Sequence, residues 1–106
     1  MRDGLRAIHV AEVGAKARPV LVLTREVALP HLRNVTVAPI TSRVRGIAVE
    51  VPVGRANGLD HDSVVSCDNI TTVRASAVGD TIGLFFDDQE PALARAISDA
   101  FELFLP

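Results

Sequence analysis

The chain has 106 residues, of which 48% are hydrophobic and 23% charged, with a formal net charge of -2 and a single cysteine. That length predicts one domain over residues 1–106, and the lack of a long apolar span or a charged-then-apolar leader predicts a cytoplasmic protein without a membrane segment. Lone Cys67 excludes an internal disulfide and gives no support to a structural metal site.

The net charge does not advertise nucleic-acid binding, but its distribution is uneven. Ten of the eleven basic residues are arginine. Arg18, Arg25, Arg33, Arg43 and Arg45 fall in the first half and Arg55 just beyond it, whereas acids collect over Asp60 to Asp68 and Asp87 to Glu102. A polarised surface is compatible with that pattern. The four aromatic residues are all phenylalanine at or beyond position 85, which reads as core rather than a base-stacking platform.

Residues 6–13 alternate loosely and predict a first strand, with His9 pointing away from Ile8 and Val10 as a surface or rim residue. A short turn through Gly14 leads into Ala17 to Thr24, whose apolar run predicts a central strand buried on both faces. Pro19 is expected at its first position, which sets Arg18 at the strand's mouth, anchored at its base and free at its tip. A guanidinium there suits phosphate recognition, although an ordinary solvated arginine has the same pattern. Residues 25–32 predict one helical turn ended by Pro30. Asn34 to Thr41 begins with period two, Val35 and Val37 inward, then shifts phase at Pro39, predicting a bulge or an edge that aims Thr41 and Ser42 at a site.

Residues 47–53 predict a half-exposed strand with Ile47, Val49, Val51 and Val53 inward and Ala48, Glu50 and Pro52 outward. Gly54 to Asp62 is a polar loop. Ser63 to Asp68 returns as a strand with Val64, Ser66 and Asp68 on one face, and Thr81 to Phe85 forms another. One helix follows, capped by Asp88, with Leu93, Ile97, Phe101 and Phe104 as its buried stripe. Short strands with tight turns and a terminal helix predict a mainly β (α+β) fold, a small bent antiparallel sheet or barrel.

No Gly-rich phosphate loop, paired-histidine zinc signature or G-x-S-x-G elbow is present. Arg18, Thr41, Ser42 and Asp68 remain, each at a strand end. Such residues can cleave RNA without a metal, because the ribose 2′-OH is an internal nucleophile. They also fit a polar rim.

The order of segments Arg18-Pro19-Val20-Leu21-Val22-Leu23, Ala38-Pro39-Ile40-Thr41-Ser42, residues 62–73 (DSVVSCDNITTV) and residues 78–84 (VGDTIGL) resembles the MazF/PemK/Kid family of toxin endoribonucleases. The resemblance spans about Ile8 to Leu103. It implies an SH3-like barrel with a C-terminal helix, a homodimer, inhibition by a cognate antitoxin, and cofactor-free, metal-independent cleavage of single-stranded RNA that leaves a 2′,3′-cyclic phosphate and a 5′-hydroxyl. It assigns catalytic roles to Arg18 and Thr41 on the scissile phosphate and to Asp68 as base or orienter of the 2′-OH. Ser42, Arg25, Arg43 and Ser66 are the implied RNA contacts. Ser66 stands where some members carry an arginine, and the loop between the first two strands is shortened to about Gly14 to Ala17. A related toxin type on the same barrel poisons a topoisomerase, so a non-enzymatic binding module is the competing expectation.

Overall fold

The computed structural model describes residues 5–103, apart from the side chains of Glu26 and Val27. Its strands are β1 (Arg6–Val13), β2 (Lys16–Val22), β3 (Asn34–Thr41), β4 (Glu50–Val53), β5 (Ser63–Ser66), β6 (Thr71–Arg74) and β7 (Val78–Phe85), followed by α1 (Glu90–Phe101). They form a curled antiparallel half-barrel in the order β4-β5-β3-β2-β1-β7, with β6 also paired to β3. The mainly β class with a C-terminal helix is as expected from the sequence.

Strand β2 is the centre of this arrangement, and alternate side chains along it enter different cores. Val20 and Val22 pack with Ala11, Val35 and Val37 in one cluster. Leu21 packs with Ile8, Ala38, Ile40, Val65 and Phe85 in the other. An apolar run without alternation is what a strand between two cores requires. Pro19 is not its first residue. It sits within β2 opposite Val10, and pairing to β3 begins only at Val20, so a residue without an N–H lies beside the unpaired end of that ladder.

The predicted irregularity at Pro39 has another cause. The β2/β3 register runs without a break from Val22↔Val37 to Val20↔Pro39, and β3 is flanked on both sides. Its first half pairs β6 and its end pairs β5, while its inward face passes from Val35 and Val37 in one cluster to Ala38 and Ile40 in the other. The change of phase therefore marks passage between two cores. The register shifts lie instead in the β1/β7 pair, beside His9, whose Nδ1 lies 3.0 Å from the Gly79 carbonyl oxygen.

Other expectations change as well. Strand β4 starts at Glu50 rather than at 47, and Glu50 is buried, for a reason given below. Strand β5 ends at Ser66 because Cys67–Asn69 turn as a 3-10 segment, and β6 was not anticipated. The helix begins at Glu90 after a 3-10 turn at Asp87–Gln89, and buries Leu93 and Ala96 against the cluster holding Phe85. Phe101 is 54% exposed, so it is not part of the seal, and Phe104 lies outside the described residues. Arg6 fastens the helix start to the sheet through two 3.0 Å bonds to Glu90 and donates to the carbonyls of Val22 and Leu23. Among the described residues no helix is long and apolar enough to cross a membrane.

Candidate functional site

The end of the β2/β3 ladder opens a cleft. Val20 pairs with Pro39, and carrying that register two residues further sets Arg18 across from Thr41. Both line a cleft of about 590 Å³, with Lys16, Ser42, Asp60 and His61 among the other lining residues.

Arg18 is half-buried, and its Nε is enclosed without a hydrogen-bond partner. Leaving a buried donor unpaired costs about 1–3 kcal/mol, and more for a charged group, so the chain itself does not compensate the placing of this guanidinium at the cleft. Thr41 is oriented by the residue two positions on. The Arg43 amide donates to Thr41 Oγ1 at 3.1 Å, which occupies a lone pair and leaves the hydroxyl proton to be donated elsewhere. Ser42 is exposed on the same rim, whereas Arg25 and Arg43 are exposed outside the cleft lining.

Asp68 is not in this cleft. Thr41 pairs with Val64 near the start of β5, and Asp68 follows the strand's far end, roughly 10 Å further along the chain. It belongs to a second constellation that the sequence did not reveal. Arg45 binds Asp68 with both terminal nitrogens at 3.0 Å and Glu50 through Nε at 2.8 Å. The Ser66 hydroxyl donates to Asp68 Oδ1 at 2.8 Å and accepts from Asn69 Nδ2 at 2.9 Å. Ser66 is thus buried within this network rather than open to a ligand.

The charges follow from these contacts. Arg45, then Ser66, holds the Asp68 carboxyl down to about 2. Burial pushes Glu50 upward, but the Arg45 side chain together with the backbone amides of Arg45, Gly46 and Ile47 outweighs it, and the net shift is downward. Arg45 is held even more firmly protonated than usual by Asp68 and Glu50. Burial and the Asp68 charge raise the Cys67 thiol to about 11, which makes it packing material rather than a nucleophile. The alternation of residues 47–53 placed Glu50 outward, and the only sequence signal against that was an arginine five positions earlier.

Residues 7–101, nearly all of the sheet together with the helix, match the family of PemK-like, MazF-like toxins of type II toxin–antitoxin systems. The chain belongs to that family. This toxin is 60% identical over 99 residues to Endoribonuclease MazF3 of Mycobacterium tuberculosis, covering 93% of this chain and 95% of that one. It superposes on the solved M. tuberculosis toxin MazF-mt6 with a TM-score of 0.91 at 59% identity, over 94% of this chain and 100% of the other. A mycobacterial endoribonuclease solved in complex with its cognate antitoxin gives a TM-score of 0.83 at 25% identity, over 97% and 99% of the two chains.

Proposed function

We propose that this chain, a toxin endoribonuclease by family, cuts single-stranded RNA at the Arg18–Thr41 cleft by attack of the ribose 2′-OH on the adjoining phosphate. The products are a 2′,3′-cyclic phosphate and a 5′-hydroxyl. The enclosed, unpartnered Nε of Arg18 across from Thr41 carries this reading. Arg18 receives the phosphate through its planar fork and offsets the charge that builds on the phosphorane, and the Thr41 hydroxyl donates to a second phosphate oxygen. Ser42 borders the same position, and Arg25 and Arg43 meet backbone phosphates beyond the cleft. The internal nucleophile removes any need for a metal-bound water, and the carboxylates of Asp68 and Glu50 are already both engaged by Arg45. Asp68 acts through Arg45, fixing the loop that follows Thr41, and is a positioning residue. A homodimer held in check by an antitoxin completes the reading, in keeping with the antitoxin-bound relative.

Single-turnover cleavage of one RNA in excess chelator tests it. Losing one well-placed donor to a developing anion costs on the order of 3 kcal/mol, so Arg18→Ala falls about a hundredfold or more, and Arg18→Lys recovers little because a point charge does not reproduce the two-pronged contact. Thr41→Ala loses less, since it removes a neutral donor. End analysis shows a cyclic phosphate. An Arg18→Ala protein within a few-fold of wild type overturns the site, and growth arrest that persists after cleavage is lost favours a binding poison.

A further inference from the structure

Transesterification moves two protons, one off the 2′-hydroxyl and one onto the departing 5′-oxygen. Arg18 and Thr41 are placed to bind the phosphate, and a guanidinium has no lone pair with which to take a proton. The other wall of the cleft carries groups that exchange protons readily. Asp60 and His61, on the loop joining β4 to β5, both line the cleft and both are exposed.

That loop is braced where it meets β7. Gly58 lies at a φ of 94°, and a Cβ on Gly58 or on Gly83 would run into the other strand's backbone, at Ile82 O and Asn57 O respectively. The Asn57 amide donates to Leu84 O at 2.9 Å and to Gln89 Oε1 at 2.7 Å. The Ser63 hydroxyl donates to the His61 carbonyl at 3.1 Å, which fixes the backbone of His61 and leaves its imidazole free. A close backbone contact on one side and a hydroxyl clamp on the other give the rigid support that a proton-transfer group needs. His9 on β1 and His31 in the 3-10 turn after β2 are outside the cleft lining.

We infer that Asp60 and His61 are the acid–base pair of this cleft, an assignment that rests on the transesterification reading above. The Asp60 carboxylate takes the 2′-hydroxyl proton as the 2′-oxygen bonds to phosphorus. His61, as imidazolium, gives its ring proton to the 5′-oxygen as the bond from phosphorus to that oxygen breaks. The pair ends as carboxylic acid and neutral imidazole, and exchange with water restores both. The charged groups that share the cleft lining with His61 are Lys16 and Arg18 on β2 and its neighbour Asp60, and Asp62 follows it in sequence; the lining residues from β3, the loop after it and β7, namely Ile40, Thr41, Ser42 and Ile82, are uncharged.

The test compares an RNA oligonucleotide with the same strand carrying sulfur in place of the bridging 5′-oxygen, a leaving group that departs without a proton. His61→Ala is expected to slow single-turnover cleavage of the oxygen substrate about a hundredfold or more, yet to remain within a few-fold of wild type on the sulfur substrate. Asp60→Asn is expected to be slow on both. Equal losses of His61→Ala on both substrates, or none on either, overturn the acid assignment and leave the Arg18–Thr41 reading standing. An Asp60→Asn protein at wild-type rate overturns the base assignment. Failure of the wild type to cut either strand removes the cleavage reading and this inference with it.

Discussion

Three acceptors converge on one guanidinium, and this makes Arg45 the residue on which local acid sensitivity turns. Asp68 sits near 2 in the fold, below its ordinary 3.8, and Glu50 is shifted the same way. A carboxyl depressed by folding stabilises the native state fully above its unfolded value, and that contribution is lost as pH falls through the folded one. The window here for Asp68 is therefore about 3.8 down to 2. Urea midpoints should drop across it in the wild type. Arg45→Met removes the cation and leaves Glu50 to its burial, which raises that carboxyl; the variant should be weaker at pH 7 and should lose the acid-dependent drop. A drop of unchanged size in Arg45→Met would show that other carboxyls control the acid response.

At the scale of elements, the close backbone approach between β7 and the β4–β5 loop couples stability to the shape of the cleft. Gly83→Ala forces a methyl into the Asn57 carbonyl, so the loop must move outward. Overpacking of this kind costs about 1–3 kcal/mol. Because the displaced loop carries one wall of the cleft, weaker RNA binding should accompany the lower urea midpoint. Gly79→Ala, which meets only Val10 O at 3.2 Å and lies outside the cleft lining, serves as the control and should spare binding. Equal binding by both glycine variants would uncouple the loop from the cleft.

For the whole molecule, a net charge of -2 sits beside a first half rich in arginine, so attraction to RNA depends on how that charge is arranged. Each phosphate neutralised on a single strand contributes about 0.7 to the slope of log affinity against log salt. Affinity should fall measurably between low and moderate salt, and a flat response would contradict phosphate contacts altogether. An acidic antitoxin segment would be drawn to the same exposed arginines. Charge reversal at Arg25 or Arg43 should weaken its inhibition, as read by titrating antitoxin against RNA cleavage; full inhibition of both variants would place the contact elsewhere.

The boundaries of β1 and β3 and the burial of β2 were legible in the sequence because each follows from local apolar patterning. Thr41 was legible as a strand-end residue for the same reason, whereas Arg18, expected at a strand's mouth, lies inside β2 opposite Ala11 and is set at the cleft only because pairing to β3 stops at Val20; the ordered motifs carried the family. Periodicity measures which residues face inward; it does not say how many cores there are. Two cores on opposite faces of one sheet turned the phase change at Pro39 from an expected bulge into a crossing between clusters. Likewise, alternation placed Glu50 in solvent, whereas an arginine folded back from the preceding loop made its burial tolerable. Whether Asp68 meets Arg18 or Arg45 depends on which end of β5 each approaches, and that is set by strand register across three segments of chain. Only the tertiary structure brought those segments together, and it placed Arg18 with Thr41 and the β4–β5 loop while drawing Asp68 to Arg45.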